Sequence, residues 1–435
     1  MHDRLRFILN RISERLWVKP LLICMLSILL VFVAKLADYT DLTGLVPDIS
    51  PTSIDTLLSI IASSMLVIAT FAVASMVSAY ASASNTATPR TFSLVISDDE
   101  SQNALSAFIG AFIFSIVALV ALQNGYYGRA GYFALFVLTL LVFAIVVVTF
   151  VRWVDSIARL GRLGSTVRKA EQAAARALAR RHCAPTLRGI ALAPLAPDAQ
   201  PVYSDSIGYV QIVDLAALQA LAAASQLRIS LCCLPGSFVG PGRALAQVSQ
   251  DPAAQTGCTT ENDAKPWSTS EIACAFRVQP DRTFDEDPRF GLIVLAEIAG
   301  RALSPAVNDP GTAIDVIGSL VRLFALWARP VSDEERGATL YDRVAVPELG
   351  LRDLFDDAFT PIARDGAANL EVALRLQKAF ASLAASGHTE MQQLSLEHAQ
   401  LALARAEQAL AFPPDRAALH QVTAHLTRSS SVRQA

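Results

Sequence analysis

"AGYFALFVLTLLVFAIVVVTFV", residues 130–151, carries neither a charged side chain nor a proline from end to end. A bilayer core about 30 Å thick needs about 20 apolar residues in helical form, because inside it every backbone N–H and C=O must be satisfied within the segment. The stretch therefore predicts a membrane-spanning helix. Toward the N-terminus three more runs meet the same requirement: "PLLICMLSILLVFVAKLA" at 20–37, "TLLSIIASSMLVIATFAVASMVSAY" at 56–80 and "NALSAFIGAFIFSIVALVAL" at 103–122. Over 435 residues the chain is 53% hydrophobic and 17% charged, with a mean hydropathy of +0.40. That is too apolar for an ordinary soluble enzyme, and nearly all the excess lies before residue 152.

The first run has no A-x-A-like cleavage site ahead of the acidic "DYTDLTGLVPD", so it predicts an anchor rather than a signal peptide. Lys35 near its outer end is expected to snorkel to the interface. Lys and Arg bias sets the orientation. Arg4, Arg6, Arg11, Arg15 and Lys19 precede the first run, and Arg152, Arg159, Arg162, Arg168 and Lys169 follow the fourth. The loop after the first run has no Lys or Arg, and "QNGYYGR" after the third has Arg129 alone. Both termini are therefore expected in the cytoplasm.

The second run is crowded with small residues, among them Ser59, Ala62, Ser63, Thr70, Ala74 and Ser78. Lipid supplies no hydrophobic drive between helices, so small residues favour close backbone approach and hydroxyls can bond across the contact. Two readings fit: a packing helix, or a water-filled path lined by Ser59, Ser63, Thr70 and Ser78 in a homo-oligomer. The inner loop "ASASNTATPRTFSLVISDDESQN" places Pro89, Arg90, Phe92, Leu94, Val95 and Ile96 ahead of Asp98, Asp99 and Glu100, which predicts a stretch lying on the inner leaflet.

Beyond residue 152 the chain reads as water-soluble. "RWVDSIARLGRLGSTVRKAEQAAARALARR" continues as a basic helical stalk whose arginines suit anionic lipid, and "APLAPDAQP" at 193–201 marks a linker. "IGYVQIV" at 207–213, "LRISLCCL" at 227–234 and "IACAFRV" at 272–278 are strand-like, with "LAALQALAAAS" a short helix between the first two. "PGSFVGPG" at 235–242 places glycines at two turns around a short strand. From about residue 287 onward everything is expected to be helical, and the tail from Phe412 loose. Six cysteines without CxxC spacing suit a reducing compartment better than a disulfide scaffold, and a net charge of −3 gives no case for nucleic acid.

Two helix starts use one device. Asp287 can cap with Pro288 at the first helical position, and in "RALSPAVNDPGTAIDVIGSL", residues 301–320, Asp309 and Pro310 repeat the arrangement. Ser304-Pro305 ends the helix between them. "RTFDEDPRFGLIVLAEIAGRALSPAVNDPGTAID" at 282–315 resembles the signature of the bacterial membrane proteins grouped as domain of unknown function 2254. The matching positions are Asp287, Pro288, Phe290, Gly291, Arg301, Ala302, Leu303, Ser304, Pro305, Asn308, Asp309, Pro310, Thr312 and Ala313. "SIGYVQIVD", "PGSFVGPG", "DRVAVP" and "DLFDDAFTPIARDG" resemble its other blocks. The inner loop departs from the Ser-Pro-Arg and basic stretch expected there. The resemblance implies a bacterial inner membrane and no established activity.

The expected fold is thus an integral membrane α-helical protein with four transmembrane helices plus a cytoplasmic α+β region. Its parts are a basic tail 1–19, a membrane domain 20–151, a stalk and linker 152–200, a β-rich module 201–281, a helical domain 282–411 and a loose tail 412–435. An enzyme would use Glu297, Asp309 and Asp315 as acids or metal ligands with Arg301 and Asn308 orienting substrate. Glu297 and Arg301 are also spaced as an ordinary helix-surface ion pair, and no HExxH, Walker loop or G-x-S-x-G accompanies them. No cofactor is expected, and the expected partners are the lipid bilayer and further copies of the chain. Three functions remain open: an oligomeric channel or transport protein, a membrane-anchored scaffold or ligand sensor, and a membrane-bound enzyme.

Overall fold

The computed structural model describes residues 17–39, 47, 49–86, 88–91, 94, 99–159, 163–251 and 266–431. Two units result, Met1–Thr166 and Val167–Ala435. The basic residues before Trp17, and Phe92, Val95, Ile96 and Asp98 of the inner loop, lie outside the described residues.

In the first unit the four apolar runs are helices α1 (Val18–Leu36), α2 (Pro51–Thr86), α3 (Asp99–Gln123) and α4 (Arg129–Arg159). At 1.5 Å per residue the 36-residue α2 is about 54 Å long, so it exceeds an apolar core of about 30 Å. Two layers of side chains hold the helices together. Val31, Ile54, Leu58, Phe114 and Leu135 form one, and Ile61, Met65, Phe108, Val146 and Trp153 the other. Asp38, just past α1, accepts from the backbone N–H of Gly128 at 2.7 Å and of Gly131 at 2.6 Å, and so caps the start of α4. Lys35 does not simply snorkel: its Nζ pairs with Asp38 Oδ2 at 3.2 Å and lies 5.4 Å from the Tyr126 ring centroid. The capping carboxylate supplies a nearer partner than bulk water.

The second unit opens with α5 (Leu163–Cys183), whose first residues belong to the preceding unit. A five-stranded sheet follows in the order β1-β8-β4-β6-β2, with a three-stranded sheet β5-β3-β7. The strands are β1 (Gly189–Ala191), β2 (Gln200–Tyr203), β3 (Gly208–Val213), β4 (Leu227–Leu231), β5 (Phe238–Val239), β6 (Ala244–Gln250), β7 (Phe276–Gln279) and β8 (Tyr341–Val346). Helix α6 (Leu215–Ala224), capped by Asp214, buries Leu215, Leu218 and Ala222 in the same apolar cluster as Ile229, Val248 and Val344.

Three expectations are corrected here. Residues 272–273 belong to helix α7 (Thr269–Ala273) rather than to a strand, because Ser268 and Glu271 form a capping box. The stretch after residue 287 is not wholly helical, since β8 pairs in parallel with β1 and β4 as the second strand of the larger sheet. A helix, Pro413–Ser431, occupies the end expected to be loose, seated by fully buried Leu419 against Ala373, Ala406 and Leu410.

The remaining helices are α8 (Pro288–Ala302), α9 (Pro310–Trp327), α10 (Asp333–Arg336), α11 (Leu351–Asp365), α12 (Leu370–Ala384), α13 (Thr389–Ala409) and the terminal α14 (Pro413–Ser431). Phe324 of α9 meets Phe355 and Phe359 of α11 at ring distances of 4.6 and 5.2 Å, and Phe359 meets Phe380 of α12 at 5.0 Å. Burying each such ring is worth about 1.5–3 kcal/mol. Among the described residues five helices, not four, are long and apolar enough to cross a membrane. Four have mean hydropathies of 2.3 to 3.1, and the fifth, α9, has 1.2.

Candidate functional site

The long helix α2 sorts its residues by face. Ile54, Leu58, Ile61, Met65, Ala69, Ala72 and Met76 are buried, while Ser59, Ser63, Thr70 and Ser78 are exposed in the single chain. At 3.6 residues per turn Ser59, Ser63 and Thr70 fall on one line opposite the buried face, and Ser78 stands about a quarter turn aside. The hydroxyls of Ser63 and Thr70 are satisfied within the helix: Ser63 Oγ donates to Ser59 O at 2.9 Å and Thr70 Oγ1 to Val67 O at 2.8 Å. Thr56 Oγ1 does the same toward Thr52 O at 2.9 Å. Ser78 instead lines an open groove of about 490 Å³ with Ala74, Ser75, Ala79, Ser82 and Ile157.

In the second unit the two Asp-Pro starts cap as their sequence implies, yet their surroundings differ. Asp309 Oδ1 accepts from Thr312 N at 3.1 Å and its Oδ2 from Thr312 Oγ1 at 2.5 Å. Those bonds, the hydroxyl first, hold its carboxyl below the usual carboxylate range. Asn308 adopts a left-handed φ of 48°, which Asn tolerates better than most residues, and Asp309 N bonds back to Ala302 O at 2.8 Å. Ser304 Oγ donates to Arg301 O at 2.7 Å, so Ser304, Asn308, Asp309 and Thr312 together lock the corner. Arg301, Pro305 and Asn308 are on its exposed outside.

Asp287 is 2% exposed. Its Oδ1 accepts from Arg289 N at 3.1 Å and Phe290 N at 3.2 Å, and its Oδ2 pairs with Arg282 Nε at 2.7 Å. Burial pushes its carboxyl up, against the pull of Arg282. Gly236 of the "PGSF" turn, at φ +92°, lies so close that a Cβ there would overlap the Asp287 carboxyl group. Two stretches that resemble separate blocks of one family thus meet at a single carboxylate. The Arg282 guanidinium lies over Tyr209 and Phe290, 5.7 and 5.3 Å from their ring centroids. On α5, Arg181 is 3% exposed with no hydrogen-bond partner for Nη1; burial pushes its pKa down to about 10, with Glu286 and Asp287 opposing. Gly291 brings α8 onto α5, since a Cβ on it would stand 2.5 Å from Ala174 Cβ.

In the first turn of α8, Arg289 clamps Asp357 through Nε at 2.6 Å and Nη2 at 3.0 Å, and Asp353 through Nη1 at 2.8 Å. Arg322 of α9 clamps Glu171 of α5 at 2.6 and 2.7 Å. Both are bidentate contacts that fix one helix on another. Among the described residues no group of three His, Cys, Asp or Glu side chains is placed to hold a metal. The carboxylate of Asp309 is engaged in capping, and the histidines are dispersed: His388 caps α13, His182 contacts Arg329 O, His398 is buried beside α11, and His420 pairs with Glu407.

The family model described as "Predicted membrane protein (DUF2254)" matches residues 13–382. The chain belongs to this family. An uncharacterised protein of Mycobacterium bovis and one of Mycobacterium tuberculosis are each 35% identical to this chain over 142 residues. That alignment covers 32% of this chain and 26% of each relative, so the matched part spans about a quarter of the relatives' length. No solved structure matches. The apolar helices α1 to α4 fit the family's description. Sequence reasoning missed Gly236, Arg181 and Arg282 as neighbours of Asp287. A signal existed for Gly236, a turn glycine in a quoted block, whereas nothing local marks Arg181 as buried.

Proposed function

We propose that this DUF2254 protein is a homo-oligomeric channel or transport protein of the bacterial inner membrane, with α2 of each copy turned toward a shared axis. On this reading α1 to α4 are the four spans, both termini are cytoplasmic, and the second unit is an assembly or gating domain. The outward line of Ser59, Ser63 and Thr70 on α2 carries the proposal. Lipid gains nothing from small hydroxylated residues, whereas a second helix can approach them closely and water can bond to them. Support for four spans is that α9 has the lowest hydropathy of the five apolar helices and buries its apolar face among α8, α11 and α12.

The reading as a scaffold or ligand sensor draws on one other observation, the exposed outside of the locked corner at Pro305 and Asn308. Cysteine cross-linking in native membranes separates the two. Ser63→Cys and Thr70→Cys are expected to give covalent dimers under oxidation, while Val148→Cys, 59% exposed on α4, is expected to stay monomeric. The purified protein is expected to conduct in planar bilayers and to lose conductance in Ser63→Trp. A monomer without conductance, with no cross-link at Ser63 or Thr70, refutes the channel.

A further inference from the structure

Where α11, α12 and α13 meet, the interior holds an imidazole. His398 of α13 is 3% exposed, and its Nε2 makes no hydrogen bond. The ring lies 5.3 Å from Phe355 and 6.2 Å from Phe380. Its Nε2 is 3.4 Å from Oδ1 of Asp356, a half-exposed carboxylate on α11. One turn earlier on α13, Ser395 is fully buried and its Oγ has no partner. From α12, Gln377 donates Nε2 to Ala399 O at 2.9 Å while its Oε1 has no partner. A carboxamide carries both atoms on one carbon, so that oxygen lies over the same turn of α13. The ring is thus packed against aromatic side chains with Nε2 unsatisfied, an apolar setting that suits the neutral imidazole and disfavours the charged one.

We propose that His398 is a proton-operated latch: the neutral ring lets α13 dock on α11 and α12, and its protonation loosens that docking. The charged groups facing it are Asp356 and Arg352 from α11 and Glu397 and Arg405 from α13; α12 presents uncharged Gln377 and Phe380. Glu397 is already held by Arg352 at 2.6 and 2.7 Å, which leaves Asp356 as the counter-charge near Nε2. Burial lowers the imidazole from its ordinary value of 6.5, more than Asp356 and Glu397 restore. The opened form thus takes up the proton first. Docking is intact above about pH 6.5 and weakens as pH falls toward the depressed folded-state value.

Hydrogen exchange of full-length protein in lipid nanodiscs, at pH 7.5 and 5.5 and normalised for intrinsic exchange, reads this directly from peptides covering 389–409. In the wild type, opening of α13 is expected to rise at pH 5.5 by at most about tenfold, because that pH lies one unit below the ordinary imidazole value. His398→Phe and His398→Gln are expected to lose that rise, and Asp356→Asn to enlarge it by removing the counter-charge. Equal protection at both pH values in the wild type, or a rise that survives both His398 substitutions, overturns the latch. So does an unchanged rise in Asp356→Asn, a half-exposed position whose substitution leaves packing intact.

Discussion

Replacing Asp287 by Ala is expected to cost several times as much as replacing Asp309 by Ala, although the two residues open helices with the same Asp-Pro pair. At Asp309 the loss is a cap, about 1 kcal/mol, because Pro305 and Asn308 beside it are exposed and water can serve the freed N–H of Thr312. At Asp287 the cap is lost too, and Arg282, its side chain 16% exposed, keeps its charge without its partner. Breaking a buried pair from one side costs about 3–5 kcal/mol, and partial access of Arg282 to solvent favours the lower end. The expected difference is therefore about 3 against about 1 kcal/mol. For a unit of this size that corresponds to falls in Tm of about 6–12 °C and 2–4 °C. Thermal unfolding of the full-length variants in one detergent, followed by tryptophan fluorescence, measures both; Trp267 and Trp327 report on the second unit. Asp287→Asn is expected to fall between, since an amide oxygen can still accept at the cap. Equal shifts for Asp287→Ala and Asp309→Ala would refute the claim that burial of the Arg282 pair separates them.

Two other perturbations test particular contacts. The Arg322 clamp, ahead of burial, lowers the carboxyl of Glu171 from 4.5, so the stability it adds is present above about pH 4.5 and is lost as pH falls through the lowered folded-state value. With Arg322 well exposed the effect is under about 1 kcal/mol, and it is read as faster hydrogen exchange in α5 at pH 3.5 that Glu171→Gln no longer shows. In the first unit, a Cβ on Gly131 would stand 2.6 Å from Asp38 Oδ2, so Gly131→Ala is expected to displace the carboxylate that caps α4 and to cost about 1–2 kcal/mol. A Gly131→Ala protein with the wild-type midpoint in detergent would show that Asp38 caps nothing of consequence.

What could be read from the sequence was what is written locally. The apolar runs became α1 to α4, and both Asp-Pro starts became caps, since each signal lies within one or two helical turns. The capping box at Ser268 and Glu271 was equally local, but the alternation of Ile272, Cys274 and Phe276 masked it. Strand β8 was of another kind. Tyr341–Val346 is embedded among helices, and only its parallel partners, Gly189–Ala191 far upstream and Ile229–Ser230 of β4, make it a strand. Parallel pairing leaves no hairpin signal in the chain, so periodicity alone does not announce it. The Asp287 neighbourhood fails to announce itself for the same reason: Arg181, Gly236 and Arg282 come from different elements, and burial rather than spacing unites them.

Helix α9 shows why composition does not by itself count spans. Eighteen residues with a mean hydropathy of 1.2 satisfy the length and apolarity of a crossing helix, as do α1 to α4. The difference lies in the polar residues. Asp315 and Arg322 stand seven positions apart and so share one face of α9, and Arg322 turns that face toward Glu171. The opposite face buries Ala313, Val316, Ile317, Leu320 and Phe324. An amphipathic stripe of this kind belongs to a helix with one packed side and one polar side, whereas α4 exposes Leu141, Phe143, Val147 and Val151 around its circumference with no charge between them. Were α9 a span, its clamp to Glu171 would have to form at membrane depth, where an ionised pair is costly. The same bidentate contact that fixes α9 on α5 thus supports the proposed count of four spans.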